Sequence, residues 1–404
     1  MANETLKGEL APWSTSTDIK PEEGPEMGKF ECNEVINHMK KEPWFTMGEL
    51  KATVTKLRDF RGKKDTVLEV NDWQGEPHPA TNTTGAEYQL DYNTWQAAGN
   101  TICLKRDAAH ACPFYVREEY PQETKARTEA CLPFDKEAYL NENFARLKLT
   151  YENSDYCAQL KAYLAENKAS MKEVKQIICI GLGNFLKAER KKEDKPCDNT
   201  TEKQQAANNP GDATSVNKPD ESTKELTYVP NQSHFYQYLL ACTVREAFES
   251  GPDTPLPIYA QDPLICVGGR SLLKDYFNIT VIGDPEAFVK LTENTFIITV
   301  WPWVPVRQLA VDLLDKYGGP AGMLCEEIMN NGTHCNGVEY VNNSDEEEDL
   351  WTLDPSSPRL EEYKKKCFGG GYRLEDELKI IKPRPPYSNA LYLLPKEAAA
   401  VAQG

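Results

Sequence analysis

The chain is poor in positive charge and in groups suited to acid–base or metal chemistry. Its 404 residues hold 46 Lys and Arg against 63 Asp and Glu, a net charge of −17. A nucleic-acid partner calls for a basic face, so this balance argues against one. There are only five histidines, and no Cys-x-x-Cys or His-x-x-x-His spacing occurs. The close pairs His110/Cys112 and His334/Cys335 stand far apart in sequence, which makes a zinc site from them a poor fit. No Gly-x-Ser-x-Gly elbow, phosphate-binding P-loop or metalloprotease helix is present.

Apolar runs of membrane length are also missing. Phe296–Val306 is short and broken by Pro302 and Pro305, and Met1 to Lys20 lack an apolar secretory core. The expectation is an intracellular protein, cytoplasmic or nuclear, without a membrane partner. Its 12 cysteines then read as reduced, mostly buried hydrophobes. Triplets such as Asn82-Thr83-Thr84 and Asn278-Ile279-Thr280 become chance matches to a glycosylation signal.

What is present centres on Val174–Phe185, VKQIICIGLGNF. An apolar run closed by Gly181-x-Gly183 reads as a buried parallel strand entering a tight turn and then a helix, LKAERKK. Strand–helix units follow. Strands are expected at Pro257–Ala260, Ile279–Ile282, Phe296–Val300 and Ala321–Cys325, with helices at Ser271–Phe277 and after Asp284-Pro285. Val306, Leu309, Ala310, Leu313 and Leu314 define one face of an amphipathic helix. Residues 358–367 read as a helix ended by Gly369-Gly370-Gly371, and Asn389–Leu394 as a last strand at the sheet edge. Such alternation implies a Rossmann-like α/β fold, a mostly parallel sheet with helices on both faces.

The organisation follows. Residues 1–28 read as a disordered tract and 29–134 as a small α+β extension. In that extension Thr46-x-x-Glu49 has capping-box spacing, and Leu50, Val54 and Leu57 share a helical face. Thr66–Val70 reads as a strand with a turn at Asp72–Gly75, and residues 76–130 as irregular. The core spans 135–335, with caps at Asp135 and Ser154 and a polar, disordered insertion at 191–226 placed in the first helical crossover. Residues 336–404 hold an acidic run, Ser344–Asp349, and the C-terminal extension completing the sheet edge. The run reads as a solvated loop, or as a site for an acid-directed kinase at Ser344.

Candidate ligand contacts gather around the turn. Gly181 and Gly183 let backbone approach a phosphate or ribose, and Asn184 follows them. Leu186 stands where a dinucleotide fingerprint wants a third glycine. Asp262, after the second strand, is placed for ribose hydroxyls, though an Asp before Pro is also a common turn residue. Trp301 and Trp303 follow a buried strand, where they could stack on a flat ligand or cap the core. His234 reads as a surface or cap position. The partner these residues suggest is a nucleotide-like small molecule; they name no cofactor.

The order Ile180–Phe185, Gln237 with Leu239-Leu240, Asp262-Pro263-Leu264, the 279–282 strand and a Pro-rich strand end before an amphipathic helix resembles the Sensitivity to Red Light Reduced (SRR-like) domain family over roughly residues 170–330. The insertion, the N-terminal extension and the acidic tail are similar to those of fungal members. The resemblance implies a Rossmann-like domain and a regulatory role, with links to circadian and light signalling and to haem biosynthesis, and no established catalysis. The family's Met-Pro-His-Cys-Pro at the fourth strand end is replaced here by Trp301, Pro302, Trp303, Val304 and Pro305, removing its His and Cys. The family's basic residue before Gln237 is also missing; Phe235 and Tyr236 stand there. Two alternatives stay open: an S-adenosylmethionine- or nucleotide-binding enzyme such as a methyltransferase, and an interaction scaffold.

Overall fold

A computed structural model describes residues 41–72, 74–94, 112–119, 143–184, 186–190, 226–249, 255–328, 354–375 and 389–396. The 1–28 tract, Asp135, residues 191–225 of the insertion, His110, the His334/Cys335 pair and the acidic run lie outside them.

The N-terminal part opens with helix α1 (Met47–Phe60). Thr46 caps it by accepting the Glu49 N–H at 3.2 Å, while its own hydroxyl donates to the Glu49 carboxylate at 2.7 Å. Leu50, Val54 and Leu57 are buried along one face. Then β1 (Thr66–Asn71) pairs antiparallel with β2 (Pro77–Asn82), and β3 (Tyr88–Tyr92) with β4 (Phe114–Glu118). The expectation of irregular chain over 76–130 is therefore corrected at three strands. Pro77 and Pro79 mask β2 in the sequence, but in a two-stranded ribbon every strand is an edge and tolerates residues without an N–H.

The core begins with helices α2 (Ala145–Glu152) and α3 (Asp155–Asn167), the latter capped by Ser154, whose hydroxyl accepts the Cys157 N–H. The strand β5 (Gln176–Ile180) follows. No helix comes after its turn. Residues 186–190 form β6 (Leu186–Arg190), paired antiparallel with β7 (Leu226–Pro230). The LKAERKK stretch has helix-forming composition, and a partner strand some forty residues downstream overrides it, which local periodicity does not register. The first helix after β5 is therefore α4 (Gln232–Phe248), beyond this hairpin.

Next come β8 (Ile258–Gln261), α5 (Val267–Phe277), β9 (Ile279–Val281), α6 (Glu286–Val289), β10 (Thr295–Thr299), α7 (Val306–Leu313) and β11 (Gly322–Glu326). The chain ends with α8 (Pro358–Lys366), β12 (Tyr372–Leu374) and β13 (Asn389–Leu393). Seven strands form one sheet in the order β9-β8-β5-β10-β11-β13-β12. All neighbours are parallel except β13, which runs against both β11 and β12. The last strand thus lies inside the sheet, and the unexpected β12 forms the edge, where Tyr372 stacks on Tyr163 of α3 with centroids 4.3 Å apart.

Both faces of the sheet are buried. Ile177 and Cys179 pack with α2 to α5, whereas Ile178 and Ile180 pack with α1, α7 and α8. The N-terminal part joins that second cluster through Trp44, Phe45 and Leu50. Asp312 of α7 anchors it, one carboxylate oxygen accepting the N–H groups of Trp44 at 3.0 Å and Phe45 at 3.2 Å.

Burial pushes the Asp312 carboxyl up to about 7, against the pull of Arg359 and of those two N–H groups. A native pKa above the unfolded value makes the fold bind the extra proton, so Asp312 favours the native state more as pH falls through 7 toward 4. Relative to Asp312→Asn, the wild type should gain about 2 kcal/mol in unfolding free energy from pH 8 to pH 5. Denaturant titrations at both pH values read this, and parallel pH profiles for the two proteins would refute it.

Candidate functional site

Strand order places a topological switch between β5 and β10, where the chain moves from building one half of the sheet to the other. Ligands of open α/β sheets bind outside the carboxyl ends at such a point. Gly181-x-Gly183 leaves β5 there, and the Trp301–Pro305 loop leaves β10 beside it. The two loops touch: a Cβ on Gly181 would lie 3.0 Å from Pro302 Cβ, and Gly181 has φ +71°. Only glycine combines that φ with so close an approach.

The turn is clamped from three sides. The Gly183 N–H donates to Asp262 Oδ2 at 2.6 Å, and the Tyr238 hydroxyl donates to the Gly183 carbonyl at 2.8 Å. His234, third residue of α4, packs its ring on Gly183, and its Nδ1 lies 3.0 Å from the Asn184 carbonyl, to which the Nδ1–H tautomer donates. His234 is thus part of the turn's wall rather than a surface position. The second Asp262 oxygen accepts the Leu264 N–H at 2.8 Å. Asn184 turns its side chain toward α5, where the Cys266 thiol, itself the cap of that helix, lies 3.8 Å from its Oδ1.

The structure therefore gathers Gly181, Gly183, Asn184 and Asp262 at the carboxyl ends of β5 and β8. Trp303 sits on the neighbouring loop, 56% exposed. Trp301 is half-buried against the core in a left-handed conformation, φ +51°, which is rare for a non-glycine residue and costs about 1 kcal/mol or more. One of the two tryptophans thus caps the core and the other faces solvent.

Farther along the same edge lies a buried polar group that the sequence did not single out. The Trp301 backbone N–H donates to the Glu326 carboxylate, whose pKa burial raises to about 7. Beside Glu326 in the β11–β13 register stands Asn389, fully buried. Glu326 Oε1, both polar atoms of Asn389 and the hydroxyl of Thr299 at the end of β10 have no hydrogen-bond partner. These residues look like ordinary strand ends in sequence; only the reversal of β13 brings Asn389 to the carboxyl edge.

A family model for the SRR1 domain matches residues 156–367, more than half of the chain. The chain belongs to the SRR1-domain family. The match takes in β5 to β11, α8 and every residue of the turn, its clamp and the Trp301–Pro305 loop. No match was found among curated proteins or among solved structures. In this SRR1 domain no group of three His, Cys, Asp or Glu among the described residues could hold a metal ion. Nor is any helix among them long and apolar enough to cross a membrane.

A Cβ at Gly183 would fall 2.4 Å from the His234 ring at φ +73°. Gly183→Ala should cost about 1–3 kcal/mol, and His234→Ala in the same chain should restore only the steric part. Additive losses in denaturant melts would contradict this. Asn389→Leu, which removes an unpaired buried amide, should stabilise by about 1 kcal/mol. A lower Tm would mean that the amide has a partner.

Proposed function

We propose that the chain is a regulatory SRR1-domain protein of the cytoplasm or nucleus that holds a small adenosyl-type ligand at the carboxyl edge of its sheet. Membership of the SRR1 family, with the links to light signalling and haem biosynthesis that the resemblance implies, supports the regulatory half. The ligand half rests on one observation: the Asp262 carboxylate lies 2.6 Å from the Gly183 amide nitrogen. A pyrophosphate needs that N–H and a helix N-terminus behind it. Here the N–H is bound to an anion, and the residues after the turn are strand β6. A dinucleotide would bring negative charge against Asp262, which disfavours it. A ribose diol donates to a carboxylate instead, and the sulfonium of S-adenosylmethionine carries positive charge, so an adenosyl sulfonium suits this corner. Asp262 fits such a role while keeping its two backbone contacts, since a carboxylate has about four acceptor positions.

A second reading, methyl transfer, is favoured by the sheet itself. Counted along the chain, the large sheet runs 3-2-1-4-5-7-6 with the seventh strand reversed. S-adenosylmethionine-dependent methyltransferases share that arrangement, an argument by fold analogy alone. The regulatory reading takes priority because it asks the site for binding only.

Thermal-shift measurements separate these possibilities. S-adenosylmethionine or S-adenosylhomocysteine well above its Kd should raise Tm by about 2–4 °C, NAD and ATP should not, and Asp262→Ala should abolish the shift. Equal stabilisation by NAD, or none by any of the four, would overturn the ligand assignment. Methyl transfer lost in Asp262→Ala would replace the regulatory reading with the enzymatic one.

A further inference from the structure

A cavity of about 310 Å³ lies away from the carboxyl edge, between α2, α4 and α5 with α3 at its margin. Its walls are aromatic: Phe144, Tyr151, Phe235, Tyr276 and Phe277. Phe144 and Phe235 have centroids 4.6 Å apart, and Phe144 meets Tyr276 edge-on at 6.4 Å. The one hydroxyl pair inside, Tyr151 with Thr243, is mutually hydrogen-bonded at 2.9 Å. The wall thus offers ring faces and little polar competition. Tyr276 is 49% exposed, a large ring left at the mouth with no helix over it.

The mouth differs in sign from the rest of the chain. Lys148, Lys161 and Arg245 stand there against Glu152 and Glu246, whereas the whole chain carries −17. The two lysine pairs are long, 3.7 Å each, and solvent-exposed, so each contributes little and either ammonium can turn to another anion. Arg245 donates to the Phe277 carbonyl and lies 3.5 Å from Glu249, which fixes its charge beside the ring wall. Burial lifts the Cys242 thiol to about 11, so the wall has no reactive thiolate.

We infer that this cavity binds a flat aromatic anion, a fused ring bearing a carboxylate or sulfonate, with its rings between Phe144, Phe235 and Tyr276 and its charge at Lys148 and Lys161. The volume matches small-molecule pockets, and aromatic walls with a few charged groups at the mouth are how such pockets fix orientation. The site is independent of the turn and its ligand.

The probe is 8-anilinonaphthalene-1-sulfonate, with the uncharged N-phenyl-1-naphthylamine as its partner, titrated by fluorescence into the full chain. One saturable site is expected, with the sulfonate form binding about fivefold to tenfold more tightly than the neutral form. Lys148→Glu with Lys161→Glu should erase that preference, and Tyr276→Ser should weaken both probes. Near-UV circular dichroism checks that each variant keeps its fold; all three positions are about half-exposed, so none removes core packing. Unchanged binding in either folded variant, non-saturating binding, or equal affinity for both probes would overturn the proposal. A dimer in solution that Tyr276→Ser dissociates would assign the face to a second copy of the chain instead.

Discussion

Everything in this fold follows from a sheet that is apolar on both sides. Strand β5 sends Ile177 and Cys179 to one face and Ile178 and Ile180 to the other, and all four are buried. Such a strand is stable only if both faces are covered. Helices α2 to α5 cover one, while α6, α7 and α8 together with the N-terminal part cover the other. The N-terminal strands are therefore more than an appendage: Tyr92 meets Phe288 edge-on at 5.1 Å, and Trp44 reaches the Asp312 carboxylate through its backbone. On the same face the buried Arg307–Asp354 pair, 3.0 Å, ties α7 to the chain entering α8. Removing one partner of such a pair leaves an uncompensated charge, which costs about 3–5 kcal/mol. The cover is held by a few directional contacts set among apolar ones.

Features that depend on neighbours in sequence were legible. The Thr46 and Ser154 caps, the apolar runs of β5 and β10 and the Val306–Leu313 face are all local patterns, and their positions agree with the structure within a residue or two. What was hidden depends on distant pairing. The β6–β7 hairpin joins segments about forty residues apart, β2 hides behind its prolines, and β12 is three residues long. The site divides along the same line. Gly181, Gly183 and Asp262 were readable as a turn and an acid after the second strand. That the acid closes on the turn across 79 residues, or that Tyr238 holds the other side across 55, has no local signature.

The distribution of unsatisfied polar groups locates the working end of the sheet without reference to any motif. At the amino ends of the strands, buried and half-buried polar side chains satisfy one another. Gln176 Nε2 donates to Thr295 Oγ1 at 2.8 Å and to the Lys290 carbonyl, and Thr295 Oγ1 accepts the Thr292 N–H. At the carboxyl ends Thr299, Glu326 and Asn389 keep polar atoms unpaired, and Trp301 holds a strained backbone. Each costs stability, and folded proteins retain such costs mainly where something must bind or move. The closed Gly183–Asp262 corner and this open polar row lie at the same edge, on opposite sides of the Gly181–Pro302 contact. An adenosyl group seated at Asp262 would extend toward that row only by passing Trp303, the one large ring on the loop between them that faces solvent. The exposed tryptophan is thus where the two halves of the edge would meet around a ligand, and its exposure is better explained by that position than by core packing, which Trp301 already provides.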